Sequence, residues 1–264
     1  MSEANPVSTP MSRLLSPHDP SLPSPDVPFR SLLGSLLYLS IATRPDISAA
    51  VIHLSTFQNH FSHAHWYAAL RILRYLKGTR DLGLTYTAAG SCESICGNSW
   101  NPLAAYSDSD FGGTPVDRRS TTGFINFING APVSWKTQIQ PTVALSTLEA
   151  EYMAMSRNTQ EILWLRQLLA DMGAPLIGPT TLFVDNEGAI ATANSACITD
   201  RAKHIDIRHH FIREQIAVGA VQVKHVSTTH QLADILTKPL SAEKFRHFLP
   251  LLGLRPLASD PRVC

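Results

Sequence analysis

Residues 104–113 have the sequence Ala-Ala-Tyr-Ser-Asp-Ser-Asp-Phe-Gly-Gly, a short apolar run followed by acids and two glycines. This pattern is typical of a β-strand that ends near Asp108. Because side chains alternate along a strand, Asp108 and Asp110 share one side, and strand geometry does not choose between them. An acid held at the end of a strand is a candidate ligand for a hard divalent cation, which prefers oxygen.

Two more acids lie in recognisable settings, Asp185 at the end of an apolar, strand-like run and Asp234 near the start of a helix-like run. Asp185 closes Leu-Phe-Val-Asp at residues 182–185, and Asp234 lies in Gln-Leu-Ala-Asp-Ile-Leu at residues 231–236. Asp185 could also cap the following helix, but Asn186 can take that role and leave Asp185 free to face a cleft. Asp234 has apolar neighbours, and a buried carboxylate is costly unless it meets a cation.

A fourth acid is selected by helix capping. Ser146 and Glu149 form a capping-box pattern that opens a long helical run ending at Gly173. Glu149 therefore has a local role, whereas Glu151 has none. We interpret Glu151 as the functional acid, so that the acids occur in the order strand, helix, strand, helix.

The surrounding sequence predicts an α/β domain with a mixed five-stranded sheet. The predicted strands are antiparallel at first, with a hairpin turn at Asn129-Gly130, and then alternate with helices. Upstream, helical periodicity dominates, and the first residues are rich in Pro and Ser. The predicted division is a disordered leader (1–28), a helical region (29–86), a linker (87–101), an α/β domain (102–240), and a C-terminal helix and tail (241–264).

Basic and histidine side chains supply further candidates. Arg71, Arg74 and Lys77 lie along one predicted helix, as a solvated face or as a stripe that contacts phosphates. His225 follows an apolar strand and could shuttle protons near a metal centre. His230, in the same loop, is an alternative to His225.

The composition limits the classes of function. Apolar residues make up 44% of the 264 residues and charged residues 16%, so most of the chain can bury a core. A net charge of +1 provides no global attraction to nucleic acid, and binding would need local basic patches. No apolar run has the length of a membrane span, and the N-terminus lacks signal-peptide features, which predicts an intracellular protein. Four scattered cysteines suggest neither a disulfide scaffold nor a zinc site.

The candidate acids and the sequence blocks around them together resemble the ribonuclease H domain of copia-type retrotransposon polyproteins. Residues 29–86 are similar to the region that follows the reverse transcriptase palm in such polyproteins. The blocks that carry the resemblance are Tyr-Ser-Asp-Ser-Asp-Phe-Gly-Gly (106–113), Asp-Arg-Arg-Ser-Thr-Thr-Gly-Phe (117–124), Val-Ser-Trp-Lys (133–136), Leu-Ser-Thr-Leu-Glu-Ala-Glu-Tyr (145–152), Val-Asp-Asn (184–186), Lys-His-Ile-Asp-Ile-Arg-His-His-Phe (203–211) and Gln-Leu-Ala-Asp-Ile-Leu-Thr-Lys-Pro-Leu (231–240).

The resemblance implies a ribonuclease H-like fold and an endonuclease that hydrolyses the RNA strand of RNA–DNA hybrids with two Mg²⁺ ions, which Mn²⁺ can replace. It implies that Asp108, Glu151, Asp185 and Asp234 are the metal ligands and that His225 assists them. Further residues in the matching blocks could contact phosphates: Arg118, Arg119, Arg201 and Lys203.

One signature of the resembling polyproteins is missing. No aromatic-x-Asp-Asp sequence, which marks a reverse transcriptase palm, occurs in the chain. We therefore expect a truncated retroelement fragment without DNA synthesis, whose partner could be the rest of a polyprotein. Two alternatives remain open: a remnant that binds hybrids without cutting them, and a strand-transfer enzyme of the same fold. The fourth acid and the lack of a His/Cys zinc module argue against strand transfer.

Overall fold

The computed structural model of the chain describes residues 3–19, 21–86, 102–195 and 206–257. Within these ranges the α-helices are α1 (Phe29–Ala42), α2 (Ser48–Ser55), α3 (His63–Gly78), α4 (Thr147–Asp171), α5 (Glu187–Asn194), α6 (Asp206–Ala217) and α7 (Ala242–Leu251). The strands are β1 (Leu82–Leu84), β2 (Leu103–Asp110), β3 (Thr121–Ile128), β4 (Ala131–Ile139), β5 (Thr180–Val184), β6 (Val221–His225) and β7 (Leu254–Pro256). Short 3₁₀ helices span Pro45–Ile47 and Leu232–Leu236.

The main sheet has five strands in the order β4-β3-β2-β5-β6. The pairs β4–β3 and β3–β2 are antiparallel, whereas β2–β5 and β5–β6 are parallel. Asn129 and Gly130 both have positive φ, as the predicted turn between β3 and β4 requires. The predicted α/β class, with a mixed five-stranded sheet and flanking helices, is confirmed.

Both faces of this sheet are covered, because successive side chains of β2 point to opposite sides. Leu103 and Ala105 pack into a core cluster with Tyr152 and Met155 of α4. Tyr106, one residue further on, belongs to a second cluster that includes residues of α1, α2, α3 and the 3₁₀ helix Leu232–Leu236. The helical region thus packs directly on the sheet that carries the candidate acids.

Two predicted helix caps are present. The Ser146 hydroxyl accepts a hydrogen bond from the Glu149 amide at 3.1 Å, and Asn186 Oδ1 accepts one from the Ala189 amide at 3.0 Å. The Glu149 carboxylate turns back to accept from the Leu145 amide at 2.6 Å. Glu149 is therefore committed to the start of α4, as its position in the sequence predicts.

The leader differs from the disordered segment that its composition predicts. Val7, Met11 and Leu15 pack against the helical core, and the Leu15 amide donates a 2.8 Å hydrogen bond to Nε2 of His53. These apolar anchors and specific hydrogen bonds offset part of the entropy lost on ordering. The Pro and Ser content of the leader does not reveal that three apolar side chains recur every four residues and can pack on a core.

The leader also occupies the basic stripe of α3. Arg71, Arg74 and Lys77 each donate a hydrogen bond to a backbone carbonyl of the leader, at 2.7 to 3.1 Å. Phosphate contact by these side chains, predicted from their spacing, would require the leader to leave. The three acceptors are the carbonyl oxygens of Thr9, Asn5 and Ala4.

The C-terminal segment returns to the helical region. After α7 ends at Leu251, β7 pairs antiparallel with β1, with Leu82 opposite Pro256. The predicted tail at residues 241–264 therefore shares a two-stranded sheet with residues 29–86, and β7 is an element that periodicity did not predict. The predicted linker, residues 87–101, lies outside the described residues. None of the helices in the described ranges is long and apolar enough to cross a lipid bilayer.

Gly123 of β3 permits a close approach that positions one of the acids. It pairs with Asp108 across β2–β3, and the 3₁₀ helix that carries Asp234 packs directly over it. A Cβ placed on Gly123 would lie 2.6 Å from Cγ2 of Thr237 and 2.8 Å from Cβ of Leu236. These atoms have little room to move, because Leu236 is fully buried and Thr237 nearly so.

We expect Gly123→Ala to lower the free energy of unfolding by roughly 1–3 kcal/mol, the usual cost of overpacking a core. Gly34→Ala is the matched control, since nothing lies within 4 Å of a Cβ there and the residue is inside α1. That variant should gain up to about 1 kcal/mol from helix propensity. Urea unfolding measures both, and equal stabilities of the two variants would contradict the packing argument.

Candidate metal centre

Two of the candidate acids stand at the carboxyl ends of neighbouring parallel strands. In β2 and β5, Tyr106 pairs with Phe183, so Asp108 and Asp185 each follow two residues beyond a matched position. Ligand sites of α/β sheets form at this edge. The parallel register therefore brings Asp108 and Asp185 to the same place, although 77 positions separate them in the sequence.

The 3₁₀ helix Leu232–Leu236 adds a third acid to this edge. Ligand oxygens of Asp108, Asp185 and Asp234 all lie within 4.8 Å of one another. Asp108 and Asp234 are buried, and Asp185 is partly exposed. Buried carboxylates at such separations repel each other and lose hydration, so the cluster is stable only with cations beside it. Oxygen ligands of this kind suit Mg²⁺.

Glu151 approaches the cluster from α4, which packs against β2. Its Oε1 accepts a hydrogen bond from the Ser109 amide at 3.2 Å. Its Oε2 is buried and has no hydrogen-bond partner among the described residues. A buried carboxylate oxygen without a donor is costly, and a bound cation would satisfy it. The residues present therefore fit a divalent ion, and Glu151, not Glu149, is the acid that lies beside the cluster.

The same geometry separates Asp108 from Asp110. Asp110 is not part of the three-acid cluster. Its carboxylate packs against the backbone of Gly113, where a Cβ would lie only 1.9 Å from Asp110 Oδ2. Burial raises the pKa of Asp110, Lys238 and Arg118 oppose this shift and Asp234 adds to it, so Asp110 lies near the cluster without joining it. Of the pair that alternation left open, Asp108 is therefore the acid within the cluster, and its role as a metal ligand stays a prediction.

Two lysines that the sequence reasoning missed form ion pairs with Asp108 and Asp234 of the cluster. Lys238 Nζ lies 2.7 Å from Asp234 Oδ1 and 3.4 Å from Asp108 Oδ2, and Lys244 Nζ lies 2.5 Å from Asp234 Oδ2. The Thr237 hydroxyl donates to Asp108 Oδ2. Lys238 is four residues after Asp234, a helical ion-pair spacing that could have identified it. Lys244 lies in α7 and has no comparable local signal.

Burial and the charges of neighbouring groups shift the pKa values of Asp108, Glu151 and Lys238. Burial raises the pKa of Asp108 to about 7; Lys238 opposes this shift, and Asp234 and Asp185 add to it. Burial, reinforced by Asp108 and Asp185, raises the pKa of Glu151 well above its ordinary value. Burial alone would lower the pKa of Lys238, but Asp108 and Asp234 raise it. Asp108 and Glu151 therefore hold protons more strongly than free carboxylates do, and a bound cation would reverse this effect.

His225 lies beside the cluster at the end of β6, where it pairs with Val184, the residue before Asp185. It is exposed, as is His230. The loop after β6 contacts the acids directly, since the Thr228 hydroxyl donates to Asp185 Oδ2 at 3.2 Å. His230 Nδ1 lies within hydrogen-bond distance of the hydroxyls of the same loop. The choice between the two histidines therefore stays open.

The remaining predicted phosphate-binding residues do not share one environment in the described part of the chain. Arg118 is exposed and lies near Asp110, where burial raises the pKa of the Asp110 carboxyl and the charges of Lys238 and Arg118 oppose that shift. Arg119 forms an ion pair with Asp117 at 2.5 Å. Arg201 and Lys203 lie outside the described residues. Arg118 is thus the candidate that the structure leaves at the edge of the metal centre.

Comparison with known proteins identifies the family. No protein-family model matches the chain. The chain is 40% identical over 257 residues to the retrovirus-related Pol polyprotein from transposon RE2 of Arabidopsis thaliana, and 35% identical over 263 residues to that from transposon TNT 1-94 of Nicotiana tabacum. Each match covers 96% of the chain. The chain belongs to the retrovirus-related Pol polyproteins of copia-like transposons.

The matched region is a small part of these relatives. The chain spans 17% of the RE2 polyprotein and 19% of the TNT 1-94 polyprotein. Among solved structures, this chain is similar to LC11-RNase H1 isolated from compost, with a TM-score of 0.42 and 16% identity. The alignment covers 56% of this chain and 99% of the LC11-RNase H1 chain.

The raised pKa of Asp108 predicts how metal-free stability depends on pH. The folded protein binds this proton up to about pH 7, whereas an unfolded aspartate releases it near pH 4. The stability that Asp108 contributes therefore falls as the pH rises through this window. We expect Asp108→Asn to become more stable relative to the parent between about pH 5 and about pH 8 in EDTA. Urea unfolding at both pH values measures the difference, and a difference that does not change with pH would contradict the assignment.

Proposed function

We propose that the chain is a ribonuclease H that hydrolyses the RNA strand of RNA–DNA hybrids with bound Mg²⁺, which Mn²⁺ can replace. The observation that carries the proposal is the convergence of Asp108, Asp185 and Asp234, with ligand oxygens within 4.8 Å, beside the partnerless buried Oε2 of Glu151. Family membership supports it, since the relatives are retrovirus-related Pol polyproteins.

The acids divide into two groups around Asp108. Asp108, Glu151 and Asp185 would hold one ion, and Asp108 with Asp234 the other. Bound there, divalent ions would lower the pKa of an attacking water and neutralise charge on the leaving 3′ oxygen, giving products with a 5′-phosphate and a 3′-hydroxyl. The chain itself holds the four carboxylates in place through β2, α4, β5 and the 3₁₀ helix Leu232–Leu236.

His225 is suited to moving protons to and from solvent. It is exposed at the end of β6, level with the residue before Asp185. An imidazole there can accept and donate protons near neutral pH without being buried in the acid cluster. We propose this role for His225, with His230 of the adjoining loop as the alternative.

The hybrid would be recognised through its backbone. A net charge of +1 leaves binding to local contacts, and Arg118 at the edge of the site is one such contact. A requirement for a ribose 2′-hydroxyl at the scissile phosphate would restrict cleavage to RNA. Phosphate contacts by Arg119, Arg201 and Lys203, association with the rest of a retroelement polyprotein, and an intracellular location remain predictions.

A second candidate function is a remnant that binds hybrids and does not cut them. The observation that favours it is that ion pairs with Lys238 and Lys244 already engage both oxygens of Asp234. If a metal ion could not displace these lysines, the site would keep its geometry but would not catalyse hydrolysis. Binding and cleavage must therefore be measured on the same preparation.

Cleavage of a labelled RNA–DNA hybrid with Mg²⁺ tests the proposal, with Asp185→Asn as the variant. We expect at least a ~100-fold loss of cleavage rate, because removing a metal ligand costs more than the 10–100-fold typical of its outer partners. Asp171→Asn is the matched control, since Asp171 ends α4 and its carboxylate contacts Gln167 at the surface. Its rate should equal that of the parent.

Each outcome decides between the two functions. Cleavage that is lost in Asp185→Asn and retained in Asp171→Asn supports the nuclease. Hybrid binding by the parent without cleavage at any Mg²⁺ concentration supports the remnant. Cleavage that persists in Asp185→Asn would show that the metal centre is assigned to the wrong residues.

A further inference from the structure

Asp234 is distinguished from the other acids by the number of cations around it. It is completely buried; Lys244 donates a hydrogen bond to Oδ2, and the Lys238 ammonium forms an ion pair with Oδ1 that lacks hydrogen-bond geometry but supplies the counter-charge. Lys238 bridges Asp234 Oδ1 and Asp108 Oδ2, at 2.7 and 3.4 Å. Lys244 is held in place by a 2.8 Å hydrogen bond that it donates to the carbonyl of Thr228. The Asp108–Asp234 side of the cluster therefore already has its counter-charge.

The opposite side of the cluster lacks one. Glu151 Oε2 is buried without a hydrogen-bond partner in the described part of the chain, and Oε1 accepts from a neutral amide. Asp185 Oδ2 accepts from the Thr228 hydroxyl, which is also neutral. The demand for a cation is thus concentrated between Asp108, Glu151 and Asp185.

The charges of the site point to the same division. The four carboxylates of Asp108, Glu151, Asp185 and Asp234 have two ammonium groups beside them, those of Lys238 and Lys244, while the nearby Asp110 is offset by Arg118. If all are ionised, two negative charges remain, which is the charge that one divalent ion neutralises. A second divalent ion would have to compete with Lys238 for oxygens of Asp108 and Asp234, at close range in a poorly hydrated site.

We propose that the Lys238 ammonium occupies the second cation position of this centre, so that the free protein binds one divalent ion, at Asp108, Glu151 and Asp185. A second ion binds at Asp108 and Asp234 only by displacing Lys238. The inference rests on the proposed function, because it takes the four acids to be the metal site of the nuclease. Lys238 is a positioning residue, acting through the acids that it contacts.

Isothermal titration calorimetry with Mg²⁺ on EDTA-treated protein tests this role. The parent should bind one ion per chain. Lys238→Met keeps the length of the side chain but removes its charge, and it should bind two ions, or bind the second at least about tenfold more tightly. Lys238→Arg keeps the charge and should bind one ion. Lys136→Met, an exposed position on β4, is the matched control and should behave as the parent.

Two ions of similar affinity in the parent would overturn the proposal, as would a folded Lys238→Met variant that still binds one. If Lys238→Met does not fold by circular dichroism, the stoichiometry of the parent decides alone. Hybrid cleavage by the same preparations separates this inference from the nuclease proposal. A parent that cuts hybrids and binds two ions refutes only the role of Lys238. A parent that binds one ion and never cuts refutes only the nuclease.

Discussion

Burial of carboxylates at the junction of β2 and the 3₁₀ helix Leu232–Leu236 is the constraint on which the rest of the structure depends. Asp108 and Asp234 are both removed from water, yet their ligand oxygens belong to one cluster. Such an arrangement is unfavourable unless cations are held nearby. Lys238 and Lys244 provide them, and Gly123 lets the 3₁₀ helix come close enough to deliver Asp234.

Much of this centre is foreseeable from sequence, because its acids sit in local patterns with local causes. Asp108 and Asp185 end apolar strands, and the capping role of Glu149 isolates Glu151. Lys244 was not foreseeable, because its contact with Asp234 depends on how α7 packs. Strand alternation did not separate Asp108 from Asp110; the resemblance favoured Asp108, and in the structure Asp108 belongs to the three-acid cluster whereas Asp110 lies beside it.

Contacts between distant segments account for the other differences. The leader has the composition of a disordered segment, but it meets a surface that no local pattern describes, with donors on α3 and an acceptor on His53. Likewise β7 is three residues long, too short to register as a strand until β1 pairs with it. Whether such a leader is ordered depends on the tertiary contacts of a few widely spaced side chains, which local sequence patterns do not show.

The helical region supports the candidate metal centre through direct contacts, although a composition change at residues 87–101 suggests a domain boundary. The Trp135 indole of β4 donates a 2.8 Å hydrogen bond to the Ser40 carbonyl of α1. One core cluster joins residues of α1 to α3 with Leu232, Ala233, Ile235 and Leu236, the residues that flank Asp234. Packing of the helices on the sheet therefore holds the 3₁₀ helix against Gly123. Since the helix carries Asp234, a change in the helical core would reach the metal centre through position rather than through charge.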